Sequence, residues 1–375
     1  MGKQDSLQNV LASRLEQLIN LFDAGASQFL DELPNTPVKH LLLKKLEAEK
    51  GATLQKILSS ALTDISLFLD KGIGIWIYGL DQKCEEYIRQ INDYNAQALP
   101  RNKIRYIFLN KYGIRKSSSG LAINDGLLDI ERFKSQIDSN IIIQGMLSYS
   151  PGHLQSTLES DPLRRLTRSE SAGLGEQISR MVNNDQGVDG LHLDIEPYWD
   201  DHLFLMEQVR KGLEKPFSGG FNWKWVKAVN PRYEEVCDFL DFVLYRAYNL
   251  SDIKKCEDTI ELVKNYLDVV RRKQIPFLVG LSAIAFSYGG PQSCEFQVDE
   301  KTGKKTCSGI TIEEHLKGAI RLSNELIRQA NVANLYLGPS IYAFYPHKKT
   351  NDGVSIYPCK ISEQQFQLLA KAELL

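Results

Sequence analysis

Gly187-Val188-Asp189-Gly190-Leu191-His192-Leu193-Asp194-Ile195-Glu196-Pro197 reads as a short buried strand that delivers acids to one face. Side chains alternate across a strand, so His192, Asp194 and Glu196 share one face. Leu191, Leu193 and Ile195 share the other and enter an apolar layer. A rise of about 3.3 Å per residue puts Asp194 and Glu196 roughly 6 to 7 Å apart at their attachment points, so each carboxyl can alter the other's proton affinity. Such an arrangement lets a carboxylic acid hold its proton near neutrality and act as a general acid. Pro197 then breaks the strand, and Tyr198-Trp199-Asp200-Asp201-His202 follows as a loop.

On either side of this strand, from Gly72 onward, short apolar runs alternate with helix-length amphipathic segments, the pattern of parallel strands joined by helices. The runs fall at residues 73–78, 104–110, 141–148, 190–196, 223–229, 242–248, 276–282 and 335–345, with the fifth the poorest. Eight strand-helix units over about 270 residues predict an α/β protein of the (β/α)8 TIM-barrel class. An open dinucleotide-binding sheet fits less well, because no G-x-G-x-x-G run follows an early strand. In a barrel the active site lies at the C-terminal ends of the strands, where Asp194 and Glu196 stand.

The run from Asp189 to Glu196 resembles the D-G-x-D-x-D-x-E signature of glycoside hydrolase family 18, the chitinases and endo-N-acetylglucosaminidases. Asp189, Gly190, Asp194 and Glu196 match, and His192 stands where the family has a further aspartate. Two strands on, Leu244-Tyr245-Arg246-Ala247-Tyr248-Asn249 resembles the family's M-x-Y-D or M-x-Y-N sequence: Tyr248 and Asn249 match, and Arg246 replaces the methionine. The resemblance implies hydrolysis at an N-acetylhexosamine residue, with Glu196 protonating the leaving oxygen while the substrate's own acetamido carbonyl attacks the anomeric carbon. It further implies that Asp194 orients that amide, that Tyr248 holds the acetamido group with Asn249 as a substrate-binding neighbour, and that no cofactor is needed.

Arg246 should share the face of Tyr248 and reach into the barrel mouth, where a guanidinium opposes the protonation a general acid at Glu196 requires. Two readings follow: it binds an anionic or acylated substrate group, or it pairs with a barrel carboxylate such as Asp189. His192 is either a satisfied core histidine or a hydrogen-bond partner that orients Asp194. Aromatic rings at strand ends suit sugars, whose apolar faces stack on them, and Tyr78, Tyr149, Trp199 and Tyr342 are candidates, with Trp223, Trp225, Tyr288 and Tyr345 beside them. Where the family commonly ends its eighth strand with tryptophan, this chain has Ile341-Tyr342-Ala343-Phe344-Tyr345.

Two other functions stay open at this point. His192, Asp194 and Glu196 as ligands of a divalent cation, with Arg246 as phosphate clamp, would make a metal-dependent phosphodiesterase. A catalytically silent barrel that binds a glycan or a protein is the other.

Forty-five basic against 47 acidic residues give a net charge of −2, no field to gather polyanions, so nucleic acid is not expected as a partner. The basic run at 162–168 reads as a solvated helix face. No stretch reaches the roughly 18 apolar residues of a membrane span. The N-terminus lacks a compact apolar core with a small-residue cleavage site, from which we expect a cytoplasmic protein or export without a cleavable signal peptide. Residues 1–71 show only helical spacing, as in Leu7, Val10, Leu11, Leu15 and Leu18, and read as an all-helical region before the barrel of 72–375, either an interaction module or a decoration packed on it. The cysteines are too scattered for a zinc site, and no metal site is assigned. Cys294 and Cys307 bracket a segment that alternates and turns at Lys301-Thr302-Gly303-Lys304 like a β-hairpin, so they are either disulfide-bonded or two reduced thiols.

Overall fold

The computed structural model of the chain describes residues 70–77, 80, 84–117, 120–125, 130–148, 167–194, 200–222, 232–247, 256–282, 296–298, 305–307, 310–342 and 363–375. The proposed helical region lies outside these residues, apart from its last two.

Eight strands pair in parallel: β1 (Ile73–Ile77), β2 (Ile104–Ser117), β4 (Ile142–Ser148), β5 (Gly190–Asp194), β6 (Phe217–Asn222), β7 (Phe242–Arg246), β8 (Phe277–Ser282) and β12 (Tyr336–Tyr342). Each bonds to the next, and β1 bonds to both β2 and β12, which closes a barrel. Every strand is followed by a helix: α1 (Cys84–Gln97), α2 (Ile130–Gln136), α3 (Arg168–Asn184), α4 (Asp200–Gly212), α5 (Arg232–Val236), α6 (Cys256–Lys273), α7 (Ile312–Gln329) and α8 (Glu363–Lys371). The architecture is the expected (β/α)8 barrel.

Strand alternation sorts the side chains into two layers. Ile75, Ile107, Ile143, Leu191, Val243 and Val279 point outward into the layer shared with the helices. Trp76, Phe108, Met146, Phe242, Leu244 and Leu278 belong to a separate buried cluster that fills the barrel. Such an interior is a packed core, and only its rim is open to a ligand.

A carboxylate is used twice at the base of the barrel. Asp189, just before β5, accepts the backbone N–H of Ile143 at 2.9 Å and pairs with Lys134 of α2 at 2.5 Å. Asp241, just before β7, accepts the N–H of Phe217 at 2.7 Å and pairs with Arg210 of α4 at 2.9 Å. Each satisfies an orphan donor at a strand start and fastens the neighbouring helix. Gly190 follows the first of these because a Cβ there would run into the Gln144 side chain and stand 2.6 Å from the carbonyl oxygen of Pro216.

The fifth barrel strand is a correction: it is β6, with the sequence Phe217-Ser218-Gly219-Gly220-Phe221-Asn222, upstream of the expected 223–229, which lie outside the described residues. Small residues thin the apolar signal there. A second feature went unforeseen. At Lys111 the register of β2 shifts and the strand continues into an antiparallel hairpin with β3 (Gly120–Asp125). The buried Lys111 ammonium bonds Asp185 at 2.9 Å and Asp125 at 3.1 Å, and the Tyr112 hydroxyl donates to Asp185 at 2.7 Å, which ties the hairpin to the end of α3.

α3 opens on a capping box, with Thr167 Oγ1 accepting the N–H of Glu170 and the Glu170 carboxylate accepting that of Thr167. Of the basic run, Arg168 begins this helix, and 162–166 lie outside the described residues. The hairpin expected before α7 is present: β9 (Phe296–Val298) pairs antiparallel with β10 (Lys305–Cys307), and β11 (Ile310–Thr311) adds a third strand. Cys294 is outside the described residues. None of the described helices is long and apolar enough to cross a membrane.

Gly338 sets a sharp requirement in β12. Its φ is +143°, and a Cβ there would collide with the carbonyl of Gly72, 3.0 Å from the carbon and nearer the oxygen. Gly338→Ala should therefore lower stability by on the order of 2 kcal/mol or more in urea unfolding, because backbone strain and a backbone clash add.

Candidate active site at the barrel mouth

β5 supplies the first part of the site. Leu191 and Leu193 face the helical layer, while His192 and Asp194 face the barrel interior, as alternation requires. His192 is fully buried, its ring 4.6 Å from that of Phe108 and 5.4 Å from that of Trp76. Its Nδ1 shares a hydrogen bond of 2.9 Å with Ser218 Oγ on β6, and Ser218 in turn donates to Gln144 Oε1 on β4 at 3.3 Å. The histidine is thus held by a strand neighbour and does not bond Asp194, so its orienting role is corrected to that of a core histidine. It also lies beneath Asp194, enclosed by rings, which removes the imidazole from the His-Asp-Glu cation set considered above.

Burial, with the nearby Arg246 guanidinium second, pushes the His192 pKa well below the ordinary imidazole value. The folded chain keeps this ring neutral while the unfolded chain protonates it near pH 6.5. Since the unfolded state binds the extra proton, stability from this group is present above that pH and is lost as the pH falls below it. We expect a loss of about 1.4 kcal/mol per pH unit below roughly 6.5 that is missing in His192→Gln, read from urea unfolding at pH 7 and pH 5.

Asp194, one pleat above His192, is met by Arg246 from β7. The guanidinium forms an ion pair with Asp194 Oδ1, with the arginine side chain 8% exposed and the aspartate 18%. The expected partner Asp189 is therefore corrected to Asp194, because Asp189 is occupied at the base by Lys134 and Ile143. β5 and β7 are not neighbours; β6 lies between them, with Leu193 beside Gly219 and Gly220 beside Leu244. Arg246 crosses that strand over Gly220, where a Cβ would stand 2.8 Å from Nε and 2.9 Å from Cζ. The guanidinium also lies 5.5 Å above the ring of Trp76, within range of a cation–π contact, and the Trp76 indole N–H donates to Ser340 Oγ at 3.0 Å.

The structure thus brings Asp194, Arg246 and His192 of the expected set to one end of the barrel interior. Glu196, Tyr248, Asn249, Trp199, Tyr149 and Tyr78 lie outside the described residues, as do Trp223, Trp225, Tyr288 and Tyr345, and so does the side chain of Tyr342, whose backbone ends β12. The sequence reading missed Trp76, Ser218 and Gly220. Trp76 was within reach, since it alternates with Gly74 on the first strand; Ser218 and Gly220 were lost with the misplaced fifth strand. Among the described residues no group of three or more His, Cys, Asp or Glu could hold a metal ion.

No family model matches the chain, and no curated protein matches it. Among solved structures it is similar to the spore cortex-lytic enzyme SleL of Bacillus megaterium, with 13% identity over 82% of this chain and 75% of that one and a TM-score of 0.49. A glycoside hydrolase family 18 N-acetylglucosaminidase from Paenibacillus barengoltzii gives 12% identity over 80% and 99%, with a TM-score of 0.48. A GH113 β-1,4-mannanase gives 11% over 81% and 98%, with a TM-score of 0.44. The barrel assignment itself rests on the closed strand register of this chain.

Proposed function

We propose that the protein is a glycosidase that hydrolyses a glycosidic bond at an N-acetylhexosamine residue by substrate-assisted acid catalysis. The observation that supports it most is the position of Asp194: an inward-facing, partly exposed carboxylate on the last residue of the fourth barrel strand, in a chain whose motif continues to Glu196. Catalytic groups of such barrels come from these strand ends.

In this reading Glu196 donates its proton to the glycosidic oxygen as the C1–O bond breaks, and the acetamido carbonyl oxygen of the substrate bonds to C1. Asp194 accepts the amide N–H and stabilises the positive charge that grows on that nitrogen. Tyr248 hydrogen-bonds the acetamido carbonyl and fixes its angle of attack, a positioning effect, with Asn249 as a further substrate-binding residue. Water then attacks C1 with Glu196 as base, the bond between C1 and the acetamido oxygen breaks to regenerate the acetamido group, and the proton taken from water restores Glu196 as the acid. Because the nucleophile belongs to the substrate, the spacing of the two carboxylates does not set the stereochemical outcome here.

A silent, glycan-binding barrel is the second reading, and the specific observation in its favour is the guanidinium seated on Asp194. The test is turnover of a panel of chitooligosaccharides, N-glycans and muropeptides, with and without chelator. Cleavage that ignores the chelator supports the glycosidase and names its glycan; binding without cleavage supports the silent barrel; cleavage abolished by the chelator sinks both.

A further inference from the structure

We propose that Arg246 is a positioning residue that fixes the carboxylate plane of Asp194 and so makes this site select N-acetylated sugars over their free-amine counterparts. The inference rests on the proposed function for its chemistry and on four observations for its geometry. Arg246 is nearly buried and reaches across an intervening strand to its partner, an arrangement more specific than a surface pair. Gly220 is shaped to it, since any side chain there would occupy the place of the guanidinium. Trp76 supports it from the next face, and Trp76 is itself fixed by Ser340. Finally, among the described residues Asp194 accepts from Arg246 alone, and through Oδ1 only.

A carboxylate carries two acceptor oxygens. With Oδ1 taken by the guanidinium, the rotation of the group is set, and Oδ2 is the oxygen left to accept a hydrogen bond from a ligand. An acetamido N–H presents one donor that can point along a fixed direction. An ammonium group of a de-N-acetylated sugar brings charge next to Arg246 and has no carbonyl for the remainder of the site. His192 beneath offers Asp194 no hydrogen bond, so among the described residues the fixing falls to Arg246.

The test uses the full chain carrying Glu196→Gln, so that binding is read without turnover. Calorimetric titration with chitotriose and with its fully de-N-acetylated counterpart should show a preference of about tenfold or more for the former. Arg246→Met in that background should erase the preference, and Arg246→Lys should restore part of it. Gly220→Ala, which pushes the guanidinium aside while keeping its charge, should also erase it and serves if the methionine variant does not fold. A preference unchanged in Arg246→Met, or in Gly220→Ala, overturns the proposal and leaves the glycosidase reading standing. Preference lost on substitution, with no cleavage of any glycan by the unsubstituted chain, overturns the glycosidase reading and keeps the positioning role. No binding of either trisaccharide overturns both.

Discussion

Glu196→Gln should lower kcat on whichever glycan the unsubstituted chain cleaves by about 10²- to 10⁴-fold, with KM changed little, the range that removal of a general acid commands. Glutamine keeps the size and the hydrogen-bonding shape of the side chain but has no proton to give. The loss should shrink on substrates whose leaving group departs without protonation, such as an activated aryl glycoside, because the first step then needs no acid. Steady-state rates on the natural glycan and on the aryl glycoside, measured for both chains, check the effect. An equal loss in kcat/KM, which reports the first step, on both substrates would remove the acid role from Glu196, and no loss in kcat or kcat/KM would remove it from the chemistry.

Arg246→Met should cost about 3 kcal/mol of stability, because it leaves the largely buried Asp194 carboxylate without its ion-pair partner. Breaking a buried pair from one side is more expensive than removing both charges together. The double variant Asp194→Asn/Arg246→Met should therefore be more stable than the sum of the single losses by about 1 kcal/mol or more. Urea unfolding of the four chains of that cycle measures the coupling. Strictly additive losses would show that the two groups do not depend on each other in the folded state.

The parts legible in the sequence are those whose period is carried by large apolar side chains. β1, β4, β5, β7 and β8 begin within a residue of the expected positions because both of their faces are buried, outward against helices and inward within the barrel. β6 was displaced because Ser218-Gly219-Gly220 holds its place through backbone pairing and through Asp241, with little apolar weight of its own. The β3 hairpin escaped because Lys111 and Asp125 read as loop polarity, whereas their pairing is a contact between segments that the sequence alone does not bring together. At the site, alternation placed Asp194 and Arg246 on inward faces. It did not say which carboxylate the arginine meets, since that depends on Gly220 opening a passage across β6. The same limit applied to His192, whose partner Ser218 lies on the strand that was misplaced.

In the proposed mechanism the substrate's acetamido group is the nucleophile, held by Asp194. Its most direct test is hydrolysis by the unsubstituted chain of a chitooligosaccharide and of the same oligosaccharide with its N-acetyl groups removed, followed by NMR of the first-formed product. Cleavage of the acetylated sugar alone is expected, with the product appearing first in the configuration of the starting linkage. Equal cleavage of both sugars, or a first product of inverted configuration, would contradict it.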